Sequence, residues 1–523
     1  MKNVRKKNRI MPGNLFRFFA VMTGTAMAFP FFCLHLNAMP LRFLSNSLID
    51  IIQETPKLKQ KDQTPMSLKK KDQPKKTESD DDFDDFDEEE TSLGFQFIFN
   101  GFVELENFVN TYVHQEPEDV FKKNEFRVRL SMQLGNENYY FKCVPNFYFL
   151  PFFLSEGLYD DYHYSESDFT LARNGRMSGE YYELSFNECF LNLGFKHFRV
   201  RLGNQLYAWG TADVFNPTSF INPTDSRELF YKDADENKLG VPSLSSMIFL
   251  SDFTLEFVFV PFHIGAISPE SDNFWAYHYK RGYFLEVEEE KYQALPPAGE
   301  NLGYGVRCSG SVKGVDFSVS LYQGPDVNPM LRPVDYLETT SNIKVKQTYY
   351  TSTNLGWDLS FKLWKFEFHA EMAYSPNKYG VVDEEKKHSD GIDMKWPWPV
   401  KQSHYISYAV GFNFIWNDLI FTAEWLQSDY TDESLMEPFY TYFVSMSLSY
   451  TFFDELLKLS LVTVCDVKNI GYLLFPSVSF DFHNGVSLRL AYSHIGSTET
   501  DDINVFTLFK KHDILILGVR YEF

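Results

Sequence analysis

Two arginine pairs carry the most pointed chemistry in this chain. Arg127 and Arg129 lie two apart in Phe126-Arg127-Val128-Arg129-Leu130, and Arg199 and Arg201 repeat the spacing in Phe198-Arg199-Val200-Arg201-Leu202. Alternate residues of an extended strand share a face. Each pair therefore sets two fixed cations on one side and apolar side chains on the other. Gln205 continues the polar face beyond Arg201, and Gln133, Glu367 and Arg489 play the same part on other segments. An arginine facing lipid at mid-bilayer would cost about 2–4 kcal/mol. Arg127, Arg129, Arg199, Arg201 and Gln205 are accordingly expected to line a wet lumen, where rings of fixed charge sort solutes.

The segment after Gln205 is the second candidate. Residues 207–242 contain Trp209-Gly210, Asp213, and two Asn-Pro-Thr units, Asn216-Pro217-Thr218 and Asn222-Pro223-Thr224, followed by Asp225. Proline fixes φ and pushes the residue before it toward extended geometry, so this stretch is stiff. It can be a cap pinned outside a barrel, or a loop folded inward to set the pore size. In the second case Trp209, Gly210, Asp213, Asn222, Pro223 and Asp225 form a constriction, with Asp213 or Asp225 facing the arginines.

No enzyme motif competes with this reading. The sequence holds no Gly-x-Ser-x-Gly, His-Glu-x-x-His, Cys-x-x-Cys or phosphate-binding Gly-Lys-Ser/Thr stretch. Its 12 histidines occur singly. No catalytic residue, metal ligand or cofactor is expected. Cys143, Cys189, Cys308 and Cys465 are widely scattered and are expected as buried or lipid-facing thiols.

These residues sit on segments in which polar and apolar types alternate at period two, the mark of strands with one wet face. Such segments run over 93–104, 124–135, 139–150, 180–194, 197–206, 243–251, 252–262, 301–312 and 315–323. They continue over 348–363, 365–375, 403–416, 418–429, 438–452, 456–466, 471–482, 485–494 and 511–523. Short connections at Gly135–Asn138, Ser251, Lys313-Gly314, Trp364, Asn417, Asp454-Glu455 and His483-Asn484 alternate with long ones, 467–470 being the exception. About 18 strands with short turns on one side and long loops on the other describe an all-β fold, a transmembrane antiparallel β-barrel. Aromatics near strand ends, among them Tyr139, Tyr148, Trp416 and Tyr450, suit girdles at the two bilayer interfaces.

The last strand alternates through Leu515, Leu517, Val519 and Tyr521 and stops on Phe523. This ending resembles the sorting signal of Gram-negative outer-membrane barrels, which implies that Phe523 and Tyr521 are read by the barrel assembly machinery. Gly203, Gln205, Trp209, Gly210, Asn222, Pro223 and Asp225 also resemble a family of large Gram-negative outer-membrane proteins. These carry a strand with Arg-x-Gly-x-Gln, then Trp-Gly, then an Asn-Pro stretch ending near Asp. Asn354 to Tyr374 resembles the same family's long hairpin, with Glu371 and Tyr374 in its returning strand. The family's members are porin-like or hydrophobic-solute channels, so the resemblance implies an outer-membrane location and passive transport.

The ends of the chain and its charge complete the reading. Residues 1–38 combine six basic residues with the largely apolar stretch from Phe18 to Leu36, as a secretory leader does. Cleavage is expected after Ala38, with Ala28 the alternative. Residues 39–92 pass from a lysine block to an acidic block, and such runs of like charge are expected to form a disordered periplasmic tether. The barrel is expected over 93–523. The chain has 523 residues and a net charge of −22, with no basic stripe, which argues against nucleic acid as a partner. The partners expected are outer-membrane lipid, the assembly machinery and small solutes; nothing in the strands specifies an oligomer. The functional expectation is a channel whose selectivity is set by lumenal charges and the 207–242 loop. The alternatives are a surface adhesin or receptor acting through long loops, and an envelope tether.

Overall fold

A strand that alternates polar and apolar residues can give one face to lipid and the other to water, provided that its backbone groups find partners on both edges. The computed structural model describes residues 94–111, 121–150, 176–179, 181–212, 214–228, 231, 234–267, 284–287, 299–337, 342–384, 396–438, 441–468, 471–497, 506, 509 and 512–523. The expected leader and tether, and Asp213, lie outside them.

In chain order the strands are β1 (Gln96–Asn110), β2 (Phe121–Gly135), β3 (Tyr139–Phe149), β4 (Arg176–Gly179), β5 (Tyr182–Gly194), β6 (Phe198–Gln205), β7 (Val241–Leu250) and β8 (Phe253–Val260). There follow β9 (Phe284–Val287), β10 (Gly303–Val312), β11 (Val315–Pro325), β12 (Met330–Leu337), β13 (Asn342–Thr348), β14 (Thr351–Leu363) and β15 (Phe366–Val381). The last are β16 (Val400–Trp416), β17 (Leu419–Tyr430), β18 (Tyr442–Phe452), β19 (Leu457–Asp466), β20 (Gly471–Asp481), β21 (Val486–Ser497) and β22 (Ile514–Glu522).

Leaving out β4, β9, β12 and β13, these strands pair antiparallel in chain order, and β1 closes on β22 with Phe102 opposite Glu522 and Asn110 opposite Ile514. The result is the transmembrane antiparallel barrel of 18 strands that the alternation implies. Closure follows from the solvent: hydrocarbon offers no partner for an open edge, so the first strand must satisfy the last. Among the described residues no helix is long and apolar enough to cross a membrane; the crossing is by strands.

The short connections gather at one end. Lys313 (φ 53°) and Gly314 (φ 81°) both take left-handed backbone, as a two-residue hairpin with a mirror-image turn requires. Ser251, Trp364, Asn417, Asp454 and His483 mark five other tight turns with left-handed backbone. Outward at this end lie Phe195, Phe198, Trp364, Trp416, Tyr450, Phe453, Phe482, Tyr521 and Phe523, all substantially exposed. This is the girdle at one interface, with the Lys365 ammonium 4.5 Å from the Trp416 ring centre. Tyr148 does not join a girdle. It turns inward, 6% exposed, under the Arg127 guanidinium.

The long-loop end departs from the sequence expectation. β1, β15, β16 and β21 run further there than their alternation suggests, to Asn110, from Phe366 to Val381, from Val400, and to Ser497. On β15 the strand continues past Pro376 by a register shift between Ser375 and Lys378, and a proline inside a run had read as its end. Within the expected loops β4 adds to the edge of β5, and β9, β12 and β13 form a separate small sheet.

The interior is not wet throughout. Phe108, Leu426, Phe443, Val464, Leu473, Phe475, Ile495, Ile514 and Ile516 point inward from β1 and β17–β22 and form one buried apolar cluster with Tyr231, Phe506 and Phe509 from loops. Strands there are apolar on both faces, as Ile514-Leu515-Ile516-Leu517 shows, the pattern of strands buried on both sides.

A charge on the outer belt tests the membrane crossing. Met446, 44% exposed, lies midway between the outward Tyr442 and Tyr450 of β18. Met446→Arg is expected to destabilise the barrel by about 2–4 kcal/mol in urea titrations in liposomes. Ser447→Lys, on the inward face, is expected to change it by less than half as much.

Candidate functional site

The stiff segment between β6 and β7 lies inside the barrel, tied to inward residues around the ring. Its neck is built by Asn222. The Asn222 side chain donates to the carbonyls of Gln205 (3.0 Å) and Leu239 (2.8 Å) and accepts from Tyr207 N–H (2.7 Å), joining the two ends of the loop. Leu239 N–H donates to the Pro223 carbonyl (2.8 Å). The first Asn-Pro-Thr unit repeats the device, with the Asn216 amide donating to the Trp209 carbonyl (2.8 Å). The asparagines thus fold the loop on itself while the prolines keep it extended.

Three wall glutamates hold the near half of the loop. Trp209 Nε1–H donates to Glu256 of β8 (2.9 Å), and its ring lies over Gly305 of β10, where a Cβ would come within 2.8 Å. Glu371 of β15 accepts from the backbone N–H groups of Thr211 and Ala212, and from the Thr218 hydroxyl (3.0 Å). Glu424 of β17 accepts from Val214 N–H (3.0 Å) and Phe215 N–H (3.1 Å), with His369 at 3.0 Å from its other oxygen. Gly210 makes this possible. Its φ is +99°, and a Cβ there would lie 2.5 Å from both Asn216 Oδ1 and Glu371 Oε1.

The far half is held by charge. Arg227 grips Asp225 with two hydrogen bonds (2.9 and 2.6 Å) and meets Glu183 of β5 at 2.9 Å. Arg176 of β4 pairs with Glu183 and lies 3.4 Å from Asp225. Lys123 of β2 reaches Glu228 at 2.5 Å, and the Tyr231 and Ser493 hydroxyls meet at 2.8 Å. A helical turn, Ala234–Asn237, presents Glu236 to Arg127 at 2.6 Å and to Arg129 and Arg520 at 3.8 Å. Burial by itself would raise the Glu236 carboxyl. Arg127, then Arg520 and Arg129, outweigh it and hold the carboxyl below its ordinary value.

The residues singled out in the sequence fall into different settings. Arg127, Arg129, Arg199, Arg201 and Gln205 all point inward, and Phe198 and Leu202 between them are exposed outward. Arg127 is nevertheless only 6% exposed, a loop anchor and not open pore wall. Gln205 is sealed too, bonded to Ser243 (3.0 Å) and Ser245 (2.8 Å). Arg199 lies over Phe249, and Arg201 over Phe190 with a bond to Asn192 (3.1 Å). Asp225 does not face Arg199 or Arg201 across a gap, because Arg227 and Arg176 take its carboxylate. Pro223 and Trp209 belong to the neck and the wall contact described above.

Sequence reasoning missed Glu256 and Glu424 as anchors, and met Glu371 only through the family hairpin. A signal was present for two of them: Glu256 and Glu424 are each the single carboxylate among the inward positions of their strand, as in Phe253-Thr254-Leu255-Glu256-Phe257-Val258. Arg307 was also missed. It donates to Ser318 (3.0 Å) and the Ala208 carbonyl (3.1 Å) and lies 3.4 Å from Asp358. Beside it a cavity of about 390 Å³ is bounded by Thr211 of the loop, by Phe249, Thr254, Ser309 and Asp358 of the wall, and by Asp252 of a short turn.

Loosening one anchor should free the loop without opening the barrel. Glu371→Gln keeps the shape and removes the charge, weakening this tie by about 1.5–3 kcal/mol, and Gly210→Ala displaces the carboxylate itself. Chymotrypsin should then cut after Phe215 or Phe220 of the near half in Gly210→Ala, more slowly in Glu371→Gln and not in the parent. The heat-modifiable gel mobility of the barrel should be unchanged in all three.

No family model and no curated protein sequence matches the chain. Solved structures similar in fold are OccAB3 of Acinetobacter baumannii, OccK9 (OpdG) of Pseudomonas aeruginosa and a BenF-like porin from Pseudomonas fluorescens Pf-5. OccAB3 is 11% identical, with 82% of this chain and 99% of that chain covered and a TM-score of 0.46. For OccK9 the values are 8%, 82%, 97% and 0.43, and for the BenF-like porin 8%, 82%, 98% and 0.45.

Proposed function

We propose that this barrel is an outer-membrane channel through which small solutes pass by diffusion, and that the loop between β6 and β7 sets its width. The observation that carries the reading is the loop itself, bound by named carboxylates and arginines to strands on all sides of the lumen. A barrel serving only to display surface loops has no need of an internal crosspiece built this way. Toward the short turns the wall from β5 to β14 is polar, with Arg201, Asn192, Ser245, Glu256, Arg307, Ser318 and Asp358 facing in, while further along Val241, Val258, Val260 and Tyr322 pack against Tyr207 and Trp209 of the loop. The opposite arc is filled by the apolar cluster. Solutes would therefore pass on the polar side, by way of the cavity next to Arg307.

The outer membrane supplies the setting. The apolar belt and girdle suit lipid, and the β1–β22 seam ends with Phe523 exchanging both backbone hydrogen bonds with Gly101 at 3.0 Å. We assign Phe523 and Tyr521, both outward and exposed, to recognition by the assembly machinery.

Arg199 and Arg201 lie within four residues of a short turn and, among the described residues, form no salt bridge with a carboxylate. They are the cations best placed to favour anionic solutes at that mouth, since charge in a partly desolvated passage is weakly screened. In planar bilayers under a salt gradient, Arg199→Gln with Arg201→Gln should shift the reversal potential toward cations. A conducting double variant with the parent's potential would remove these residues from the selectivity filter. A pure, folded barrel that never conducts would favour the surface-receptor reading.

The pH response follows from Glu236. A carboxylate lowered by folding contributes its full stabilisation above the ordinary value, about 4.3, and loses it as pH falls through the lower folded value. The tie of the loop to Arg127 should thus be constant from about pH 7 to pH 5 and lost only below about pH 4. As far as this tie sets it, single-channel conductance should be flat over the first range and rise over the second. Glu236→Gln should show the higher conductance at every pH.

A further inference from the structure

We propose that Cys143 and Cys189 form a disulfide that staples β3 to β5. Their scatter in sequence suggested separate thiols, but the register places them directly opposite, with sulfurs 3.0 Å apart. The ladder fixes the kind of pair. Gly194 N–H donates to the Asn138 carbonyl directly across from it (2.7 Å), so positions an even number of residues from this pair exchange hydrogen bonds and those between do not. Cys143 and Cys189 fall between. In a non-hydrogen-bonded antiparallel pair the Cα atoms approach to about 4.5 Å, inside the range a disulfide spans. Bonding needs the sulfurs to close only to about 2.05 Å.

The position gives the bond work to do. Immediately after it the register shifts between Val144 and Pro145, and Pro145 has no N–H to give the ladder. On the inward face the Lys142–Glu188 pair, at 2.9 Å, braces the same spot; the cysteines face outward, on the rung next to the exposed Phe141–Leu191 pair. Cys308 stands opposite Leu255 and Val319, and Cys465 opposite Val444 and Tyr472. Neither has a sulfur across the ladder.

Because both sulfurs face the lipid side, oxidation must precede insertion, and it needs an oxidising compartment. The inference therefore rests on the export reading. The oxidant is a protein thiol oxidase in its disulfide form. The Cys189 thiolate attacks one oxidant sulfur, forming a mixed disulfide and expelling a thiolate. The Cys143 thiolate then attacks the Cys189 sulfur and expels the second. Two thiols become one disulfide, and the two electrons and two protons leave on the oxidant as a dithiol.

The test uses the full chain from cells quenched in acid, fractionated, denatured and alkylated without reduction, followed by peptide mass analysis. The expected result is one linked peptide joining Cys143 to Cys189 as the dominant species in the envelope fraction, with Cys308 and Cys465 alkylated. Cys189→Ala should make Cys143 fully alkylated, and reductant should lower the thermal unfolding temperature of the parent but not of the Cys143→Ser, Cys189→Ser double variant. Envelope protein with both cysteines alkylated overturns the disulfide and leaves the channel reading standing. Protein absent from the envelope fraction overturns the export reading instead.

Discussion

Hydrocarbon has no hydrogen bonds to offer, and that single fact sets the rest of this molecule. Each backbone N–H and C=O in the belt must find its partner in a neighbouring strand, so the sheet can end only where it began, at the β1–β22 seam. Closing a sheet of this many strands leaves a space too wide for wall side chains alone to fill. The interior must then be watered, packed or crossed by chain. This protein does each in a different sector. Polar side chains line β5 to β14 toward the short turns, an apolar cluster fills the side of β17–β22, and the β6–β7 loop passes between them, packed on Val241, Val258, Val260 and Tyr322.

The loop must solve for itself the problem that the strands solve by pairing. Its turns leave backbone N–H groups inside the barrel, and an unpaired buried donor is costly. Glu371 and Glu424 answer by accepting backbone N–H groups, three at Glu371 and two at Glu424, while Asn216 and Asn222 satisfy the loop's own carbonyls. Charged acceptors give stronger bonds than neutral ones, so a few wall carboxylates can hold a long crosspiece. At the far end the four-membered cluster of Arg176, Glu183, Asp225 and Arg227 pairs each charge with at least one of the opposite sign. Removing one partner would strand the others, which makes the loop position specific as well as stable.

The same residue types thus serve opposite ends according to what reaches them. Arg127 and Arg199 share a strand pattern, an apolar residue on either side and an arginine two residues on. Arg127 is covered by the loop and spent on Glu236, whereas Arg199, among the described residues, meets no loop carboxylate and lies over the Phe249 ring. A net charge of −22 says nothing about this local balance. What a solute meets depends on which arginines the loop leaves uncovered.

The sequence by itself determined the barrel. Period-two alternation, tight turns at one end and a terminal aromatic strand are local signals, and each of the 18 barrel strands overlaps a segment they mark. The inward direction of Arg127, Arg129, Arg199, Arg201 and Gln205 follows from the same alternation, because lipid penalises the other choice. Only the tertiary structure decided which of them meet water. Gln205 is closed off by Ser243 and Ser245, Asp225 is claimed by Arg227, and Glu256, Glu371 and Glu424 become anchors because a loop distant in sequence arrives at them. The pairing of Cys143 with Cys189 is of this second kind. Alternation tells which face a side chain takes; its partner across 46 or 160 residues is set by register and loop path, which depend on the closed ring as a whole.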